Sequence, residues 1–323
     1  MTTNPSFKSF RVSAMALDPI HVGTGGTRLG RVDNTIVRDP VTRIPKIPGS
    51  SLAGVLRAYV AMSLDKYPRC AGQGQTASDD GQTGHCCNKE GLCKVCTVFG
   101  YATGYAGTAG GFAGLAAFSD MHPLLFPVSS RLGPQWITCP MALRQIGMDN
   151  IKLEDDNAVY RNMDDGNNDL NLGWLLLPVK SDWPHLVPLT DKLNELKISE
   201  SIQSNLGVVS DKLFAHIVNS NLETRTSVSI NPATGAAEDG ALFTYEAIPR
   251  ATILTWTLTC RNPKDFKSAT AVDSPDAVKD VVQGADTYLK HLGIGGMGSR
   301  GMGRMQVLSY TDDRDSAIAG EGA

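Results

Sequence analysis

The chain has 323 residues, 41% of them hydrophobic and 20% charged, with a formal net charge of -3 and an isoelectric point near 6.1. These values exclude a disordered polyelectrolyte, and the absence of any apolar run of about 18 residues excludes a helical membrane span. The slight acidity also argues against a uniformly basic nucleic-acid binder, but residues 1–60 carry eight basic residues against three acidic ones, enough for a basic face on an acidic body.

The first residues, Met1-Thr2-Thr3-Asn4-Pro5, lack the charged-then-apolar layout of a signal peptide, which predicts a cytoplasmic protein with reduced thiols. Residues 7–17 are apolar and partly alternating, the pattern of a first strand. A Gly- and Thr-rich loop follows over 19–32, then a short strand at 34–37 and a turn at 39–42. Ile47-Pro48-Gly49-Ser50-Ser51 introduces a helix with Ser50 or Ser51 as N-cap, and Leu52, Val55, Leu56, Tyr59 and Val60 repeat at helical spacing. Arg57, on this helix, is placed to reach back toward the loop.

Five of the seven cysteines, Cys70, Cys86, Cys87, Cys93 and Cys96, then fall within 27 residues. The polar stretch between Cys70 and His85 cannot pack a core, and Cys93-Lys94-Val95-Cys96 has the Cys-x-x-Cys spacing of a thiolate zinc site. Cys70, Cys93 and Cys96 lead the ligand set, with Cys86, Cys87 and His85 competing for the fourth place. An odd, clustered set of cysteines does not suit a disulfide framework. The chain has neither H-E-x-x-H nor H-x-E, so the predicted zinc is structural.

Residues 100–114 read as a Gly-rich loop, 115–120 and the surroundings of 136–139 as strands, and 141–146 as the opening of a helix. The acidic stretch 154–169 lacks EF-hand spacing and reads as a solvated loop. Residues 174–179 suggest a buried strand, and 189–218 hold two short helical patterns broken near Gly207. The β-type runs 225–230 and 241–248 flank the turn chemistry of Asn231-Pro232-Ala233-Thr234-Gly235, predicting a long hairpin. A strongly alternating strand at 253–260, a helix over 277–292 and a closing strand at 305–310 complete the pattern. Strands and helices do not alternate strictly, so the class is α+β.

Gly293-Ile294-Gly295-Gly296-Met297-Gly298 matches G-x-G-x-x-G, but a helix precedes it and a strand follows, the reverse of a dinucleotide site. No G-x-x-x-x-G-K-[ST] motif is present. What remains is six glycines in residues 293–303 interleaved with Ser299 and Arg300 and followed by Arg304, a composition suited to phosphate approach. A second glycine loop, 21–34, contains His21 and Arg28 and leads to Asp33 among basic residues. Asp33 is a candidate to bind a divalent metal at a scissile phosphate or to orient an attacking 2′-hydroxyl.

Four stretches together resemble the RAMP superfamily of CRISPR-associated proteins, in particular the repeating backbone subunits of type III effector complexes, Csm-type and Cmr-type. They are 32–40 with 47–57, then 118–120 with 124–128 and 136–140, then 239–246, and the loop 293–304. The resemblance implies a ferredoxin-like (RRM-like) core in a single RAMP domain over 1–323, with a zinc-binding insertion at 66–100, a thumb hairpin at 222–250 and a glycine-rich loop at 293–304. It implies binding to CRISPR RNA and target RNA, assembly with other copies and other CRISPR-associated subunits, and no membrane. It also implies metal-dependent endoribonuclease activity (Mg2+ or Mn2+) at regular spacing, with a non-catalytic structural RNA-binding subunit as the alternative. Asp33 is then the catalytic acid, and His21, Arg28, Arg38, Ser51, Arg57, Gly295, Gly296, Gly298 and Arg300 the RNA-binding positions.

Overall fold

The computed structural model describes residues 5–25, 32–72, 93–101, 111–161, 169–181, 183–266 and 271–313. The first half runs β1 (Phe7–Ala16), α1 (Gly49–Ser63), α2 (Lys94–Phe99), β2 (Ala116–Phe118), β3 (His122–Ser130), β4 (Gly133–Thr138), α3 (Pro140–Arg144) and β5 (Val159–Tyr160). Next come β6 (Asp169–Leu172), β7 (Leu175–Lys180), α4 (Leu186–Glu195), α5 (Glu200–Gln203), β8 (Leu206–Val208) and α6 (Asp211–Ser220). The last part holds β9 (Glu223–Ser227), β10 (Phe243–Ala247), β11 (Ile253–Arg261), α7 (Pro275–Gln283), α8 (Asp286–His291) and β12 (Met305–Asp312). Among the described residues a ten-stranded mixed sheet runs β12-β1-β11-β3-β4-β8-β5-β7-β6 with β2 also on β11, and β9 and β10 form a two-stranded sheet of their own. The architecture is α+β. No described helix is long and apolar enough to cross a membrane.

The sheet is long because two apolar clusters share it. In one, Val12, Ala14, Trp256 and Leu258 pack against Leu52, Leu56 and Val60 of α1 and Val278, Val282 and Leu289 of α7 and α8. In the other, Leu124, Phe126, Ile137, Val159 and Val208 pack against Leu189, Leu193, Phe214 and Ile217 of α4 and α6. Ser13, buried inside the sheet, is paired: its Oγ lies 2.7 Å from Ser309 Oγ and donates to the Leu196 carbonyl at 3.0 Å, as burial of a hydroxyl requires.

Helix α1 forms where its leucine spacing predicts, but not with a serine cap. Pro48 is its N-cap and makes no side-chain cap bond. Asp120 instead accepts from Gly49 N at 2.8 Å, placing a carboxylate at the positive end of the helix. A Cβ at Gly49 would meet the Phe118 carbonyl oxygen at 2.5 Å, so glycine lets α1 approach β2.

Three expectations differ from the structure. Residues 174–179 are the outer part of a hairpin near the sheet's end, with Trp174 94% exposed and Leu176 also exposed, because β7 pairs with β6 and only β5 beyond it. The second helical pattern after Gly207 is preceded by β8, parallel to β4. Gly207 is fully covered, and a Cβ there would press on Ile137 and Val159 at 2.9 Å. The helix expected over 277–292 is two helices, interrupted at Gly284 and Ala285.

Candidate nucleic-acid interface and metal cluster

The glycine-rich loops from the two ends of the sequence meet. Gly296 N donates to the His21 carbonyl at 2.8 Å, Gly303 N to the Pro19 carbonyl at 2.9 Å, and Leu17 N to the Arg304 carbonyl at 2.9 Å. Gly295 has φ +88°, and a Cβ there would collide with the His21 carbonyl oxygen; glycine is required on both counts. Below the loop, Met302 packs with Tyr245 and Ala247 of β10, with Phe243 and Met297 beside them.

Strand β10 is the seam between the loops. Ile20 exchanges backbone hydrogen bonds with Ile248 at 2.8 and 2.9 Å, Asn34 N donates to the Thr244 carbonyl at 3.0 Å, and Glu246 N to the Asn34 carbonyl at 3.0 Å. His21 is buried, 7% exposed, with its ring edge-on to Tyr245. Its Nδ1 lies 2.6 Å from the Glu246 carbonyl, which can only accept, so Nδ1 carries the hydrogen.

Asp33 is exposed at this seam. Its Oδ2 accepts from Thr244 N at 2.7 Å and from the Thr244 hydroxyl at 2.9 Å, while Oδ1 makes no hydrogen bond among the described residues. The Thr244 backbone N–H, then its hydroxyl, hold the carboxyl below the ordinary carboxylate value, so it is ionised at neutral pH. Arg300 and the glycines Gly295, Gly296 and Gly298 are exposed on the adjoining loop, and the Arg300 guanidinium lies 5.9 Å from the Phe243 ring centre.

The other sequence-predicted positions are placed differently. Arg38 lies behind the seam, donating to Glu246 Oε2 at 2.8 Å, Asn219 Oδ1 at 2.9 Å and the Ile36 carbonyl at 3.1 Å. Ser51 lies in the first turn of α1, at the end where Asp120 caps Gly49 and pairs with Lys46 at 2.6 Å. Arg57 does not reach back to the loop. It is 3% exposed and points into the cysteine cluster, because the apolar face of α1 carries it inward. Arg304 pairs through its Nε and Nη2 with the two carboxylate oxygens of Asp18. Arg28 lies outside the described residues. Thr244, Tyr245, Glu246 and Met302 were not singled out by the sequence as site residues; the signals at hand were the resemblance over 239–246 and the glycine-rich loop 293–304 in which they fall.

The Sγ atoms of Cys70, Cys93 and Cys96 all lie within 4.8 Å of one another. Thiolates about 2.3 Å from a tetrahedral zinc stand about 3.8 Å apart, and Cys70 and Cys93 are 3.6 Å apart. Cys93 is the N-cap of α2, and the helical turn after it brings Cys96 alongside. This set could hold a metal ion. Cys96 is disulfide-bonded in this structure, so the cluster differs there from the all-thiol reading of the sequence. Cys86, Cys87 and His85 lie outside the described residues.

Residues 14–306 match the family model described as the RAMP superfamily. The chain belongs to the RAMP superfamily. Among curated proteins this RAMP chain is 28% identical over 316 residues to the "CRISPR system Cmr endoribonuclease Cmr4" of Pyrococcus furiosus, covering 93% of the chain and 95% of that protein. It is also 36% identical over 93 residues to the "CRISPR system Cms endoribonuclease Csm3" of Methanothermobacter thermautotrophicus, covering 28% of the chain and 32% of that protein. Among solved structures, a type III-B Cmr-beta complex bound to cognate target RNA contains a chain matched at TM-score 0.61 and 16% identity, covering 97% of this chain and all of that one. Oligomeric Cmr4 from Pyrococcus furiosus matches at TM-score 0.59 and 19% identity over 95% and 99%. These structural likenesses show that the RAMP fold is shared.

Proposed function

We propose that this RAMP protein is a CRISPR RNA-binding backbone subunit of a type III effector complex that cleaves complementary target RNA at regular spacing. The observation that carries the reading is Asp33: an exposed, ionised carboxylate fixed by Thr244 where both glycine loops meet β10. Collinearity with the Cmr endoribonuclease over 93% of the chain supports it. The core is of the ferredoxin-like (RRM-like) kind, residues 66–100 form the zinc-binding insertion, and the hairpin at 222–250 is the thumb that separates guide and target at intervals. Other copies of the chain and other CRISPR-associated subunits are its partners.

Exposed glycine backbone at 295, 296 and 298, with Arg300, grips the ribose-phosphate chain. A single carboxylate with a free oxygen suits Mg2+ or Mn2+, which keep waters and phosphate oxygens as their other ligands; such an ion supplies charge neutralisation at the scissile phosphate. The reaction is attack of the 2′-oxygen on phosphorus with loss of the 5′-oxygen. The 2′-hydroxyl gives up its proton, the leaving 5′-oxygen gains one, and the products are a 2′,3′-cyclic phosphate and a 5′-hydroxyl. Held ionised, Asp33 orients the reacting groups. With Cys96 reduced to the thiol, Cys70, Cys93 and Cys96 take a structural zinc, a soft-ligand set with no role in cleavage.

Asp33→Asn, reconstituted into the complex, is expected to assemble and bind target RNA with wild-type affinity while cleavage falls at least about 100-fold. Cleavage at the wild-type rate would remove the catalytic assignment, and loss of RNA binding would make Asp33 a folding residue instead.

A further inference from the structure

Arg57 stands apart from the RNA-facing residues. Its guanidinium is enclosed at 3% exposure, and each nitrogen reaches a different part of the cysteine insertion. Nε donates to the Cys70 carbonyl at 2.6 Å, Nη1 to the Gly100 carbonyl at 2.6 Å, and Nη2 points at Cys96 Sγ from 3.8 Å. One planar fork therefore ties together the segment carrying Cys70, the end of α2 and a sulfur of the cluster. A lysine, with one point charge, could not span all three.

A divalent metal held by three or four thiolates carries net negative charge, and enclosing that charge is costly unless an opposite charge lies beside it. We propose that Arg57 is the positioning residue and counter-charge of the metal cluster, binding a cysteine sulfur of the loaded site and locking its two halves onto α1. This rests on the reading of Cys70, Cys93 and Cys96 as metal ligands. A cationic N–H aimed at sulfur suits an anionic, metal-bound thiolate better than a neutral disulfide sulfur, which accepts weakly.

The test compares the wild-type chain with Arg57→Met and Arg57→Lys, purified under reducing conditions. Zinc content, zinc affinity by chelator competition and the absorption of the Co2+-loaded protein are measured. Removing the donor is expected to weaken zinc binding about 10- to 100-fold in Arg57→Met, as loss of outer partners of metal ligands does. It also moves the sulfur-to-cobalt charge-transfer band to longer wavelength. Arg57→Lys keeps the charge and recovers part of the affinity. Wild-type affinity and an unchanged cobalt band in either variant overturn the proposal; if Arg57→Met does not fold, the lysine variant decides alone. A wild-type chain that takes up no zinc when reduced overturns the metal reading itself, and with it the proposal, a result distinguishable from the first.

Discussion

Asp33 and Thr244 are 211 positions apart in the chain, yet the threonine gives the aspartate both a backbone and a hydroxyl hydrogen bond. Thr244→Val removes only the hydroxyl. The carboxyl then rises toward its ordinary value, so the acid limb of the cleavage-pH profile moves to higher pH. Cleavage at neutral pH drops roughly fivefold through looser positioning, with RNA binding unchanged; single-turnover rates across pH check this. Asp286 behaves oppositely. Burial lifts it from 3.8 to about 6, although Tyr310 donates to it at 2.9 Å. Between about pH 4 and 6 the native carboxyl therefore holds a proton that the unfolded one has lost. Its contribution is fully present below about pH 4 and is lost as pH rises to about 6. Asp286→Asn, which retains an acceptor for Tyr310, is expected to raise stability at pH 7 by up to about 3 kcal/mol and to flatten the denaturation midpoint between pH 4 and 6.

At the scale of elements, α1 was legible because Leu52, Leu56 and Val60 fall on one face and all three are buried. Leu56→Ala is expected to cost about 2–5 kcal/mol, measured by denaturant unfolding. The start of α1 was readable but its cap was not, since Asp120 comes from the link between β2 and β3, 71 positions away. Strands β1 and β11 follow from alternation, though not their pairing, and the pairing of β9 with β10 follows from the turn residues between them. Strand β8 did not: three residues, Leu206-Gly207-Val208, carry too little pattern, and only a parallel partner in β4 makes them a strand. The Gly295 loop was recognised by composition, but its reason is steric. Gly295→Ala is expected to displace the loop from His21 and weaken RNA binding about tenfold or more, with the helices intact by circular dichroism.

At the scale of the molecule, β9 and β10 form a separate two-stranded ribbon, bridged to the loop residues Ile20 and Asn34 rather than joined to the main sheet. Replacing residues 229–240 with a two-residue turn should leave the melting temperature close to wild type, because those residues are mostly exposed. Regularly spaced cleavage products should disappear if this ribbon sets the interval; sequencing of the RNA ends reads the result directly, and unchanged spacing would free the hairpin of that role. Local composition and spacing determined by themselves the α+β class, the family resemblance, the clustering of cysteines and both glycine loops, because each is written in neighbouring residues. Tertiary structure alone decided that the loops close on one strand, that Thr244 grips Asp33, and that Arg57 faces the cysteines instead of the loop. Those outcomes depend on which buried faces pack together, and the chain encodes that only through the sum of contacts between distant residues.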